Sequence, residues 1–467
     1  MTIERATFEN INPSQFISFT FPNPLSTDPQ LNPYGDSLRI AVLDSPNPIS
    51  DPVQLAAMLV PKDREDDWIF STESGLLQLL FNLPGISRLV LVGNSPHDAD
   101  YFPIVYNRST IDDTIHHTKF EESITPLLLA LSPKSTFTTG LPEIPFVIFE
   151  DNVIRSVSVK KCFGPCVGEM LVEDVEIEGL DGVREFRRRL RFKRMPNLVQ
   201  TEIRIFHNNG FGDTEFRLDT GCLVHPYLPP MVASLSLIAK YLEECVCSGV
   251  RPRVLCIGVG GGALLSFLQA HFGFEVFGVE CDEMVVKVAK QYFGLVEGDL
   301  LRVCIGDGIE VVEKFATKHN RGNMASGGIG DDVENDQNVD VFGGLDIPFD
   351  IIMVDLDARD ARNGLGAPPF EFIRKQVLLA TKLALHKHGI LAVNVIPVSK
   401  TFYDYLICEL REVFAELYEI NVGNEENYVL IATVSPANYV LNDNKNSILE
   451  KLKLTIPKQF LDCIRKL

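Results

Sequence analysis

From Arg253 onward, short unbroken apolar runs alternate with longer stretches whose apolar positions recur every three or four residues. The runs "RVLCIG", "EVFGVE", "LRVCIG", "FDIIMVD" and "GILAVNVI" read as buried strands. Between them, helical patterns begin at Ala263 and cover "DEMVVKVAKQYF", "IEVVEKFAT" and "FEFIRKQVLLATKLALH". A helix over Thr401 to Phe414 and paired strands "LYEINV" and "NYVLIATV" follow. Strands separated by helices predict an α/β, mostly parallel, doubly wound sheet. The helix-like "PPMVASLSLIAKYLEECV" leads into it, so this domain is placed at residues 216–467. The polar run "HNRGNMASGGIGDDVENDQNVDVFGG" interrupts it, and residues 315–347 read as a mobile acidic loop.

Upstream the spacing changes. Residues 146–215 alternate in strand fashion ("IRSVSVKK", "EMLVEDVEIEG", "FRRRLRFKR", "LVQTEIRIF") and form a β-rich segment. The basic run Arg187 to Arg194 has Leu190 and Phe192 interleaved, as on a half-buried strand, which is favoured over a nuclear address. Residues 56–145, with a helical pattern over Glu73 to Phe81 leading into "SRLVLVGN", suggest a small α/β module. Residues 1–55 are dense in Pro, Asn, Ser and Asp and read as a flexible segment with at most one short strand, "LRIAVL".

Composition narrows the function. A chain of 467 residues with 45% hydrophobic and 23% charged positions fits a soluble globular protein of two or three domains. Its net charge of −20 disfavours direct nucleic-acid binding and favours a cationic substrate. The ten cysteines are scattered and lack zinc-site spacing, so no metal and a reducing compartment are expected. No apolar run reaches the roughly 18–20 residues of a membrane span, and "MTIERATFENINPSQF" has no signal-peptide character. A cytoplasmic protein with no membrane partner is the expectation, with the nucleus left open.

The strand ends carry the candidate chemistry. "VLCIGVGGGALL" runs from a strand through Gly258, Gly260, Gly261 and Gly262 into a helix, letting backbone approach a ligand closely. Gly258-x-Gly260-x-x-Ala263 also satisfies a dinucleotide fingerprint. Glu280, ending the next strand, can accept hydrogen bonds from ribose hydroxyls under either an NAD or an S-adenosylmethionine reading. Asp307, between two glycines after the third strand, stands where methyltransferases and aminopropyltransferases typically hold the adenine amine, so S-adenosylmethionine is favoured over NAD. Asp355 ends the fourth strand at the topological switch point. With Asp357 and Asp360 it opens an acidic loop rich in Gly and Pro.

These residues resemble the C-terminal half of the dual elongation factor 1-alpha lysine and N-terminal methyltransferases, a family similar in its last domain to spermidine synthases. The matching stretches include "DDWIF", "IGVGGGAL", "VECDEMVVKVAKQYFG", "DGIEVV", "DIIMVDLDARD" and "GILAVNVI". The resemblance implies a Rossmann-like class I methyltransferase sheet that binds S-adenosylmethionine through the glycine turn, Glu280, Cys281, Asp307, Gly308 and Asp355. It implies an amine site at Asp355, Asp357 and Asn394, and elongation factor 1-alpha as the protein substrate. Asp355 is expected nearest the cofactor's cationic end, with Asp357 accepting a hydrogen bond from the incoming amine and Asn394 supplying a neutral oxygen. Nothing here matches the family's lysine-methylating N-terminal domain, and "HPYLPPM" replaces its Glu-His-His rim. "VQTE" resembles the spermidine-synthase strand that leads to the active site. An aminopropyltransferase or a non-catalytic cofactor-binding scaffold are therefore the alternatives.

Overall fold

The computed structural model describes residues 5–26, 35–47, 53–95, 103–108, 114–138, 140–179, 182–207, 216–324, 347–358, 366–424, 427–437 and 446–467. In chain order the first strands are β1 (Phe16–Pro22), β2 (Ser37–Asp44), β3 (Leu55–Leu59), β4 (Arg88–Asn94), β5 (Val105–Asn107) and β6 (Phe146–Val147). Then come β7 (Val153–Gly164), β8 (Gly168–Glu178), β9 (Arg184–Phe192), β10 (Val199–His207) and β11 (Phe216–Leu218). The remainder are β12 (Arg253–Ile257), β13 (Glu275–Glu280), β14 (Leu301–Ile305), β15 (Phe349–Val354), β16 (Leu385–Val395), β17 (Glu416–Asn421), β18 (Tyr428–Thr433) and β19 (Arg465–Lys466).

The last sheet has the order β14-β13-β12-β15-β16-β18-β17-β19. Its strands from β14 to β16 are parallel, and β18 runs antiparallel to both β16 and β17. This is the mostly parallel, doubly wound sheet that the alternation of elements predicts. Its strands are apolar on both faces because both are covered. Val254, Cys256, Ile351, Met353 and Ile390 face a layer containing Leu235, Leu242 and Phe267. Leu255, Ile257, Ile352, Val354 and Leu391 face Phe315, Phe372, Leu378 and Leu406. Each such side chain, fully buried, contributes about 1.5–3 kcal/mol.

The β-rich segment is one antiparallel sheet, β11-β10-β9-β8-β7-β5. Met170, Val172, Leu190, Ile203 and Ile205 pack on Val285, Val288 and Phe293, in or beside the helix Glu283–Tyr292 of the parallel domain. The arginines of β9 are matched by carboxylates: Arg191 lies between Asp67 and Glu173, Arg188 meets Asp174, and Arg187 and Arg189 share Glu202. A strand whose basic residues are so paired is the half-buried element that its alternation suggested.

The N-terminal module is a five-stranded sheet, β1-β2-β4-β3-β6. Here the expectation of at most one short strand before residue 55 is corrected, since β1 pairs with β2 along its length. "FISFTFP" alternates half-buried and exposed positions, the habit of an edge strand, and Pro22 is tolerated at such an edge. Arg88, fully buried, bonds the Asp44 carboxylate and the carbonyls of Phe8, Asn10 and Leu131, tying the N-terminal turn to this sheet.

Three further expectations change. The helix after β14 runs Gly308–Met324, so residues 315–324 are helical rather than loop; the rest of the acidic insertion, 325–346, lies outside the described residues. The pattern starting at Phe370 becomes a helix only at Lys375–Ala384, and β16 takes up Leu385 and His386. The pattern over 229–246 breaks into Leu228–Ala233, a 3-10 turn at Ser234–Ile238 and Ala239–Cys247. The Ser234 and Ser236 hydroxyls donate back to the carbonyls of Met231 and Ala233, which competes with regular helix. Among the described residues no helix is long and apolar enough to cross a membrane.

Candidate active site

The site lies at the carboxyl ends of β12, β13, β14 and β15, because β12 and β15 are neighbours in the sheet although far apart in sequence. β12 ends in the glycine turn. Gly258 has φ 88°, and a Cβ there would stand 2.1 Å from the Asp355 carbonyl oxygen. Only glycine lets these two strand ends approach so closely. Gly261 donates its N–H to Thr201 Oγ1 at 2.7 Å, so β10 reaches across and holds the turn.

Glu280 is buried at the end of β13. Its Oε2 accepts from the backbone N–H groups of Val259 at 3.1 Å and Gly260 at 3.4 Å, and Oε1 accepts from Asp282 at 3.3 Å. The Cys281 thiol, on an exposed residue, donates to the same Oε1 at 3.4 Å. Burial pushes the Glu280 carboxyl above its ordinary value, and these bonds pull it back in part. Asp282, fully buried, caps the helix Glu283–Tyr292 through Met284 N–H. Its other oxygen accepts from the backbone N–H groups of Cys166 and Val167 at the β7–β8 turn.

After β14, half-buried Asp307 accepts from Ile309 N–H at 2.8 Å at the start of the helix Gly308–Met324. A Cβ on Gly308 would meet Ile257 Cγ2 at 2.2 Å, which keeps that helix close to β12.

Asp355 is the centre of the arrangement. Tyr227 O–H donates to Oδ2 at 2.7 Å and Asn394 Nδ2 to Oδ1 at 3.0 Å. Loss of hydration raises the Asp355 carboxyl despite these two bonds. Burial, then the Asp355 charge, raises Tyr227 well above the usual phenol range, so Tyr227 stays a donor. Asn394 Oδ1 already accepts from Asn427 Nδ2 at 2.9 Å. The expected free oxygen of Asn394 is thus engaged, and its side chain instead orients Asp355.

Asp357 is engaged as well, on the side of the antiparallel sheet. Both its oxygens accept from Arg194 Nη2, at 2.9 and 3.0 Å, and Oδ2 also from Gln200 Nε2 at 3.1 Å. Arg194 Nη1 reaches the Ala358 carbonyl at 2.8 Å. Neutralised in this way, Asp357 fastens the loop after β15 to the antiparallel sheet. Ala358 N–H bonds the Gly366 carbonyl, and Ala367 bridges to Ile396 just beyond β16. Asp360 and Gly364 lie outside the described residues.

Gly258, Gly260, Gly262, Glu280, Cys281, Asp307, Gly308, Asp355 and Asn394 are thus gathered at one edge of the sheet, while Asp357 faces Arg194. Sequence reasoning missed Tyr227, Arg194, Gln200, Thr201 and Asn427. "VQTE" contains both Gln200 and Thr201, so part of that signal was present. Tyr227 sits inside "HPYLPPM", where the departure from a known pattern concealed it. The residues suit an adenosine bearing a sulfonium: a buried carboxylate at β13 for hydroxyl groups, and at Asp355 a carboxylate with neutral partners for a cation. Among the described residues, no three His, Cys, Asp or Glu side chains group as a metal site.

No family model matches the chain. It is 24% identical over 447 residues to the human eEF1A lysine and N-terminal methyltransferase, covering 89% of this chain and 56% of that protein. The Drosophila melanogaster homologue of that enzyme is 25% identical over 421 residues, covering 89% of this chain and 53% of the homologue. Among solved structures, human methyltransferase-like protein 13 in complex with SAH has a TM-score of 0.39 at 23% identity, covering 50% of this chain and 92% of that one. Spermidine synthase from Thermotoga maritima has a TM-score of 0.39 at 13% identity, covering 66% and 83%. The chain spans about half the length of the curated relatives it matches. Over most of its own length, it is similar in sequence to the eEF1A lysine and N-terminal methyltransferases.

Proposed function

We propose that the chain is an S-adenosylmethionine-dependent protein methyltransferase acting on an α-amine, with the N-terminus of elongation factor 1-alpha as its candidate substrate. The observation that carries this reading is Asp355: a half-buried carboxylate whose hydrogen-bond partners are the neutral donors Tyr227 and Asn394. A carboxylate whose hydrogen bonds come from neutral donors favours a positively charged guest. The similarity to relatives named for this activity supports the choice of substrate.

When bound, S-adenosylmethionine supplies an electrophilic methyl group on a sulfonium. Glu280 would hold the ribose hydroxyls, Asp307 the adenine amine, and the glycine turn the backbone contacts. Tyr227 and Asn394 fix the Asp355 carboxylate, so its charge is oriented before substrate arrives. Asp357, paired with Arg194, adds little negative charge, which spares the amine from being held fully protonated. An α-amine, with an ordinary pKa of about 7.7–8.0, is neutral in useful fraction near pH 7.

Incubation with methyl-labelled S-adenosylmethionine and elongation factor 1-alpha, followed by mass spectrometry, tests the reading. Label on the N-terminal α-amine is expected. Turnover only of decarboxylated cofactor with putrescine would establish the aminopropyltransferase alternative instead.

A further inference from the structure

Asn427 stands one residue before β18, beside the end of β16, because these strands pair antiparallel with Val395 opposite Tyr428. It is 5% exposed and Asn394 is 3% exposed, so neither amide finds its partners in water. From Asp355 a line of side-chain amides leads away across the sheet edge. Asn394 Nδ2 donates to Asp355 Oδ1 at 3.0 Å, Asn427 Nδ2 to Asn394 Oδ1 at 2.9 Å, and Asn424 Nδ2 to Asn427 Oδ1 at 2.8 Å. The Asn427 backbone N–H closes the line by donating to Asn424 Oδ1 at 2.9 Å.

Both ends of this line have a fixed polarity. An ionised carboxylate only accepts, and a backbone N–H only donates. Asn394 must therefore turn its NH2 toward Asp355, which leaves its oxygen facing Asn427. Asn427 answers with its own NH2, and its oxygen takes the NH2 of Asn424. Flipping any one of the three amides would set oxygen against oxygen on one side and N–H against N–H on the other, leaving buried polar groups unmatched. Tyr227 holds the other Asp355 oxygen through a hydroxyl, whose hydrogen rotates to suit its partner. The amide line is the more directional of the two supports.

We propose that Asn427 is a positioning residue for the transfer: it sets which end of the Asn394 amide meets Asp355, and so holds that carboxylate in one orientation. This role rests on the methyl-transfer reading, in which Asp355 faces the cationic guest. Asn427 acts only through Asn394.

Asn427→Leu is the discriminating variant, because leucine is close to asparagine in branched shape and carries no group that could orient Asn394. With the full chain, S-adenosylmethionine and elongation factor 1-alpha, kcat should fall about tenfold or more. In an Asn394→Leu background the same substitution should change kcat by no more than about twofold, since the amide it orients is gone. Equal losses in both backgrounds would mark a merely structural effect and overturn the role, as would an unchanged kcat in the single variant. A second readout needs no turnover. The Asn394 bond holds the Asp355 carboxyl down against the loss of hydration that raises it. Asn427→Leu should therefore move the Asp355 midpoint in a carbon-13 NMR titration to higher pH. Asn424→Ala, a milder change at a partly exposed position, removes the far anchor of the line and should move it the same way. A midpoint unmoved in both variants would overturn the proposal. If wild type methylates nothing while the midpoint does rise, the methyl-transfer reading fails and the coupling of Asn427 to Asp355 stands.

Discussion

Loss of hydration raises the Asp355 carboxyl, so the folded protein binds that proton more readily than the unfolded chain does. By linkage, the stability this group contributes is fully present below its unfolded pKa and is lost as pH rises through its folded value. At neutral pH the charge therefore weakens the fold while serving the site. Asp355→Asn should raise the melting temperature at pH 7, show no such gain under acid, and lower methyl transfer at least about 10²-fold. Thermal melts at both pH values check this, and a lower melting temperature at pH 7 would count against it. Asp357 behaves differently, since its partner Arg194 is a cation. Removing either side chain should cost about 1–3 kcal/mol of stability. In urea unfolding the double variant should cost clearly less than the sum of the singles, whereas simple additivity would mean the pair contributes nothing. Asp355, Glu280 and Asp307 were legible in sequence because each ends an apolar run whose length fixes the strand's edge. The Asp357 ion pair was not, because Arg194 is 163 residues away and nothing in the local pattern brings the two together.

At the scale of elements, docking depends on a few buried polar contacts. Asp282 caps the helix Glu283–Tyr292 and also accepts two N–H groups from the β7–β8 turn. A Cβ on Gly164, at that turn, would lie 2.2 Å from Asp282 Oδ2, so the fit leaves no slack. Asp282→Ala should cost about 2–4 kcal/mol, combining a lost cap with two lost charge-assisted bonds. Asp282→Asn, which keeps a cap oxygen, should recover part of that in denaturant titration; equal losses in both would show that the cap contributes nothing. The helices and strands of the parallel domain were legible because period and length agree there. The 3-10 break at Ser234–Ile238 was not, since serine hydroxyls can either face outward or bond backward within an otherwise helical pattern. β1 was obscured in a different way: an edge strand needs only alternation, and surrounding Pro and Asn outweighed it.

Over the whole molecule, the antiparallel sheet forms part of the active-site surround as well as preceding it in the chain. Thr201 of β10 holds the glycine turn, while Gln200 and Arg194 hold the loop after β15. The doubly wound class was evident from the alternation of elements, but this docking depends on contacts between segments far apart in sequence. The arrangement encloses Asp355 between the parallel sheet and Tyr227, leaving a carboxylate suited to cationic guests. The most direct test is mass spectrometry of elongation factor 1-alpha after incubation with methyl-labelled S-adenosylmethionine and either the wild-type chain or Asp355→Asn. Label on the N-terminal α-amine with wild type, and little or none with Asp355→Asn, is the expected result; label confined to internal lysines, or equal α-amine labelling by both proteins, would contradict it.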